Sequence, residues 1–290
     1  MIERRGTANP AGDGRDPDAP PLVTLRADDG ATAEIHHHGA HVTSWRPAPD
    51  GEERIYLSGA SEYGPGKAIR GGIPVIFPQF STEGPLPRHG FARTTEWSVG
   101  GVGRAGNGMA EADFVLRDSE ETRAIWDAAF MAVISVRVVG ARLAVTLAVE
   151  NVGDTPFSFT AALHTYLRVS DVGAVRITGL EGTKYRLPGS RALQRDETEN
   201  VVVGDYLERV YADAPPRIEL HDGTSTISII AEGFPDAVLW NPGAERAAAV
   251  HDIEPGGERR FVCVEAAAVQ RPIELLPHRR WLGTQTLVAH

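Results

Sequence analysis

Two strand-like segments and a set of arginines carry the residue types that move protons and grip anions. In Phe157-Ser-Phe-Thr-Ala-Ala-Leu-His-Thr-Tyr166, alternation puts Phe157, Phe159, Ala161 and Leu163 on one face. Ser158, Thr160, Ala162, His164 and Tyr166 take the other. His164 therefore sits on the more polar face, and imidazole is the side chain best suited to exchange a proton near neutral pH. A second segment, Phe261-Val-Cys-Val-Glu-Ala-Ala-Ala268, is apolar on both faces except at Glu265. A carboxylate inside such a strand must be paired or shifted to a higher pKa, and general acid–base sites use the shifted state. Arg70 precedes Gly71-Gly72, and Arg88-His-Gly-Phe-Ala-Arg93 places two guanidinium groups five residues apart beside a glycine. Planar guanidinium forks hold phosphate or carboxylate in bidentate fashion, and a neighbouring glycine lets a ligand approach the backbone. Each feature has a structural alternative: a hydrogen-bonded histidine, a glutamate paired with an arginine, or surface arginines balancing nearby acids. A His and a Glu on separate strands, both pointed into one cavity, would suit proton transfer to and from one small anionic substrate.

Trp240-Asn241-Pro242 closes an apolar run and offers an aromatic wall beside an amide, which suits the C–H faces of a sugar. The run His36-His37-His38, with His41 nearby, resembles a metal site only superficially. Consecutive strand side chains point to opposite faces, so three in a row cannot converge on one ion, and no metal is expected. Gly100–Gly108 (GGVGRAGNG) matches no phosphate-loop pattern and reads as a flexible hairpin connection.

The elements that must position these residues are strands. Arg142–Asn151 alternates Leu143, Val145, Leu147 and Val149 with Ala144, Thr146, Ala148 and Glu150. Leu22–Ala27, Ala31–His36, His41–Trp45, Met109–Arg117, Phe130–Val139 and Phe157–Leu167 follow the same style. So do Ile218–His221, Thr226–Ala231, Ala237–Trp240 and Arg260–Val269. Only Ser119–Trp126 predicts a helix, with Ser119 as its N-cap. With no βαβ alternation, the chain reads as an all-β protein, a large antiparallel β-sandwich or barrel with very little helix.

Composition limits the partners. The 290 residues carry 29 basic and 39 acidic side chains, a net charge of −10, which disfavours nucleic acid and anionic membranes as ligands. A single cysteine, Cys263, suits a reducing, cytoplasmic setting. No apolar run approaches the length of a membrane helix, and Arg4-Arg5 is not followed by a signal-like apolar segment. Residues 1–20, rich in Pro, Gly and Asp, are expected to be a disordered leader ahead of a single domain over 21–290. Nothing in the sequence marks an obligate protein partner.

Several motifs taken together resemble a known family. They are Arg70-Gly-Gly-Ile-Pro-Val-Ile-Phe-Pro-Gln79, His89-Gly-Phe-Ala-Arg93, Leu163-His-Thr-Tyr166, Trp240-Asn-Pro242 and Val262-Cys-Val-Glu265. In this order and spacing, from Leu22 to Leu287, the chain resembles the hexose-6-phosphate mutarotases. These form the glucose-6-phosphate 1-epimerase branch of the aldose 1-epimerase superfamily. The resemblance implies a galactose mutarotase-like supersandwich and a cofactor-free interconversion of α and β anomers. It further implies His164 as general acid toward the ring oxygen and Glu265 as general base toward the C1 hydroxyl. Arg70 and Arg93 match positions that hold the phosphate, and Arg88 stands where relatives often carry Gln. Gln79, His89, Trp240 and Asp252 complete the implied substrate-binding set. Leu187, in place of an Asp, and Gly243, in place of a Trp, depart from the family pattern and imply an altered sugar preference.

Overall fold

Alternation becomes antiparallel pairing wherever one face can be buried. Phe130–Val139 buries Phe130, Ala132, Ile134, Val136 and Val138, and its neighbour Arg142–Asn151 buries Leu143, Val145, Leu147 and Val149. Their register sets Ile134 opposite Leu147 and Val136 opposite Val145, so apolar side chains stack across the ladder on one face. The computed structural model describes residues 20–290 apart from Pro49 and Thr224. The expected leader therefore lies outside the described residues, except for Pro20.

Among the described residues three sheets are formed. A nine-stranded sheet runs in spatial order Val201–Val202, Arg176–Thr178, Arg217–Asp222, Ser225–Glu232, Arg280–Ala289, Arg142–Asn151, Phe130–Val139, Ala110–Arg117 and Ser98–Arg104. An eight-stranded sheet runs Gln194–Arg195, Lys184–Arg186, Leu207–Ala212, Asp236–Asn241, Phe261–Leu275, Phe157–Leu163 and Val75–Ile76, with Tyr166–Arg168 also paired to Phe261–Leu275. The third sheet joins Leu22–Arg26, Thr32–His36 and His41–Arg46. The main core draws side chains from all three, among them Ile35, Trp45, Phe114, Ile134, Leu147, Phe159, Leu163, Val264 and Leu287. The other face of the eight-stranded sheet is covered differently. Ile76, Phe80, Ala162, Val210, Val238, Ala267 and Val269 form one small cluster there, and Tyr56, Tyr166, Phe261 and Cys263 belong to another.

Helix is sparse, as expected. Glu120–Ile125 is capped by Ser119, whose side chain accepts from Thr122 N while the Thr122 hydroxyl accepts from Ser119 N. Among the described residues no helix is long and apolar enough to cross a membrane.

Two expectations need correction, and one strand went unforeseen. Gly100–Gly108 is not a flexible connection: Ser98–Arg104 is an exposed edge strand paired with Ala110–Arg117. The turn is confined to Ala105–Gly108, because the partner strand supplies the backbone bonds whatever the glycine content. The run Phe157–Leu167 is interrupted at His164-Thr165, where His164 N donates to Pro74 O and Thr165 N folds back onto Leu163 O. Register survives this break, with Leu163 opposite Ala266 and Tyr166 opposite Cys263. Finally, Leu207–Ala212 is a full strand between Lys184–Arg186 and Asp236–Asn241, although its apolar residues do not alternate.

Candidate active site

Because register is kept across the interruption, His164 falls opposite Glu265 on the neighbouring strand. His164 Nε2 lies 3.4 Å from Glu265 Oε1, and both side chains are almost fully buried. Both lie on the face away from the main core, as strand parity predicts for His164, beside Val238 and Trp240 of Asp236–Asn241. A cavity of about 160 Å³ opens here, lined by Arg70, Arg88, His89, Arg93, His164, Glu208, Trp240 and Glu265, with Phe80, Ser81, Val238 and Val250. Larger clefts lie elsewhere, so chemistry rather than size identifies the site.

The pair is held from both sides. Tyr166 stacks on the His164 ring at 5.0 Å and 13°, and Trp240 meets it edge-on at 5.7 Å. From the core side, the Thr165 hydroxyl donates to Gln285 Oε1, and Gln285 Nε2 donates to Val264 O at 3.0 Å. One buried amide of the nine-stranded sheet thus braces the residues next to both His164 and Glu265. Thr165→Val leaves Gln285 Oε1 without a donor and is expected to destabilise by about 1–3 kcal/mol. The check is a lower urea midpoint at unchanged slope.

Electrostatics push the two groups toward their neutral forms. Burial, helped by the Arg93, Arg70 and Arg88 guanidinium groups, takes His164 down from 6.5 to about 3. Burial, with the Glu208 carboxylate adding to it, pushes Glu265 well above the usual carboxylate range, and Arg93 opposes this. Among the described residues, His164 Nδ1 and Glu265 Oε2 have no hydrogen-bond partner, an arrangement suited to a polar ligand.

The arginines differ in kind. Arg70 is anchored, its Nε donating to Asp252 Oδ1 at 3.0 Å and its Nη1 to the Tyr166 hydroxyl at 2.9 Å. Arg93 forms no ion pair among the described residues. Its Nη2 reaches only Arg88 O at 3.4 Å, and its buried Nε is unpartnered. Arg88 is exposed on the rim. Gly71 and Gly72 serve packing rather than ligand approach. Both have positive φ, and a Cβ on Gly72 would lie 2.3 Å from His41 Nε2 and 2.4 Å from Val42 O. The loop bearing Arg88 is pinned by Gln79, whose amide exchanges hydrogen bonds with Leu86 N and O, both at 2.9 Å. Gln79 and Asp252 thus lie behind the cavity wall, whereas Arg70, Arg88, His89, Arg93 and Trp240 line it. His89 takes positive φ and packs T-shaped against Phe80, with its centroid 5.9 Å from that of His164.

The departures at Leu187 and Gly243 look different in three dimensions. Leu187 is 47% exposed and outside the cavity lining. Gly243 has φ +65°, and a Cβ there would lie 1.6 Å from Asp205 O. Gly243→Ala is therefore expected to destabilise by about 2 kcal/mol or more, read by thermal unfolding. Besides Glu265, the carboxylate that lines the cavity is Glu208, which the sequence reading missed along with its strand. Its side chain accepts from the Tyr206 hydroxyl, and its backbone sits opposite Trp240. The signal was the run Leu207-Glu-Arg-Val-Tyr211 after Gly204-Asp205. Among the described residues no group of three or more His, Cys, Asp or Glu side chains converges as a metal site. The buried His41 instead bonds Gly71 O at 2.8 Å.

The chain is similar to known proteins in sequence and in fold. A protein of Cenchrus ciliaris provisionally named glucose-6-phosphate 1-epimerase is 38% identical over 280 residues, covering 92% of this chain and 84% of that one. One of Escherichia coli with the same provisional name is 35% identical over 242 residues, covering 79% and 77%. The crystal structure of YeaD from Salmonella typhimurium, provisionally a mutarotase, superposes with a TM-score of 0.85 at 27% identity, covering 95% of this chain and 92% of that one. Residues 21–287 match the family described as aldose 1-epimerase, and the chain belongs to that family.

Proposed function

We propose that the protein interconverts the α and β anomers of hexose 6-phosphates, glucose 6-phosphate first among them. The observation that carries this reading is one cavity that holds a buried His164–Glu265 pair together with Arg88 and Arg93, which form no ion pair among the described residues. The provisional names of the relatives support it. In the reaction His164 gives a proton to the ring oxygen O5 while Glu265 takes the proton of the C1 hydroxyl. The C1–O5 bond breaks and leaves the aldehyde. Rotation about C1–C2 presents the other carbonyl face, and closure reverses both transfers. No carbon changes oxidation state over the cycle, so the chemistry asks only for one proton on the pair. Arg93 and Arg88 take the phosphate, Arg70 borders it while tied to Asp252, and Trp240 offers a face to the sugar.

An aldose 1-epimerase for unphosphorylated sugars is the second reading, and the unpaired Arg93 weighs against it. Magnetisation exchange between the two anomers, measured by NMR in a buffer that catalyses poorly, separates the two. Faster exchange for glucose 6-phosphate than for glucose supports the phosphate reading. The reverse order would establish the second.

A further inference from the structure

The anion-holding and proton-transferring parts of the cavity come from different pieces of chain. His164 and Glu265 lie across one β-ladder, whereas Arg88 and Arg93 come from the loop and short turn after Phe80. Arg93 keeps a buried, unpartnered Nε, so the anion subsite exists before any sugar arrives. Building on the hexose 6-phosphate reading, we propose that a free dianion seated on Arg88 and Arg93 switches on anomerisation of a sugar that carries no phosphate.

The physical link is charge. His164 is faced by Arg70, Arg88 and Arg93 across the cavity, by His89 at its edge, by Tyr166 stacked on it and by Glu265 opposite, with Glu208 on the far wall. Cys263 lies behind, one register step from Glu265. Arg70 is already balanced by Asp252, so the uncompensated positive charge belongs to Arg88 and Arg93. All three guanidinium groups line one cavity with His164 and hold it below its ordinary proton affinity. A dianion on Arg88 and Arg93 cancels that repulsion and makes a protonated His164 easier to form. The proton shared across 3.4 Å moves toward the imidazole, which is the form needed to protonate O5. Burial takes Arg93 down to about 10, so it remains a cation at neutral pH and available to the anion.

The test uses the substrate in two pieces. D-Xylose keeps the pyranose ring and C1 hydroxyl but lacks the C6 arm, and phosphite dianion stands in for the phosphate. Anomer exchange of xylose is followed by NMR at pH 7.5 over a phosphite series, with enzyme-free samples at every concentration. The expected result is at least a tenfold, saturable rise in the enzyme-dependent rate. That rise should be absent in Arg93→Ala and reduced in Arg88→Ala, whose exposed position spares the fold. The 15N signals of His164 should move toward the imidazolium form over the same phosphite range. A phosphite dependence that stays flat, or linear and equal to the enzyme-free control, would overturn the proposal if glucose 6-phosphate is still turned over. Failure to turn over glucose 6-phosphate itself would instead remove the functional reading beneath it.

Discussion

Replacing His164 by Gln is expected to lower the enzyme-dependent rate of α/β exchange of glucose 6-phosphate by about a thousandfold, the scale of a positioned general acid. Glu265→Gln should do the same from the other side of the reaction. Near-isosteric amides keep the stack on Tyr166 and the packing against Val238, so both variants should retain the wild-type fold by circular dichroism. Their stabilities should diverge with pH. Folding takes His164 from 6.5 to about 3, so its contribution is complete above 6.5 and is lost as pH falls toward 3. Folding raises Glu265, so the native state favours the protonated carboxyl. The contribution of Glu265 is complete below 4.5 and is lost as pH rises through its folded value. Glu265→Gln should therefore be at least as stable as wild type at pH 8, although nearly inactive. His164→Gln should soften the loss of stability between pH 6 and 4. Urea midpoints across that range, beside anomer exchange rates, check both. A Glu265→Gln variant that keeps most of its activity would remove the carboxylate from the mechanism.

Arg93→Ala should reduce kcat/KM for glucose 6-phosphate by about a hundredfold or more, comparable with loss of one strong electrostatic donor. The rate on glucose should change by less than about tenfold. Two effects combine in this difference. The substrate loses a charge-assisted fork, and Arg93 no longer pairs with the dianion whose charge favours a protonated His164. Removing a partly buried cation that has no ion-pair partner should leave stability unchanged or slightly higher. Equal losses on the two sugars would place Arg93 in the scaffold and return the anion role to Arg70 and Arg88.

Strand parity was the part of the site that sequence carried well. Alternation put His164 on the face turned from the core but left the face of Glu265 open, and the structure has the two opposite each other. The interruption at Thr165 was not legible, because it depends on Pro74 O and Gln285, which are distant in the chain. Glu208 was missed for a related reason. Its strand is sandwiched between two others and buries side chains on both faces, which erases the period of two. Gln79 carried the right residue type, yet its amide is used to close the loop ahead of Arg88. Leu187 likewise sat in a motif but faces solvent, so an unusual residue there changes the surface rather than the cavity. Motifs locate a segment; only the packing around it decides which of its side chains faces a ligand.

The preserved register around His164 has a consequence for how such a protein can diverge. The distance between imidazole and carboxylate is set by a hydrogen-bonded ladder whose ends are fixed by Leu163–Ala266 and Tyr166–Cys263. Insertions in the loop bearing Arg88 leave those two pairings untouched. Lineages can therefore exchange, lengthen or lose their anion-gripping loop while inheriting the same proton-transfer step. A single inserted or deleted residue between Leu163 and Tyr166, by contrast, would turn His164 toward the opposite face and end the chemistry in one event.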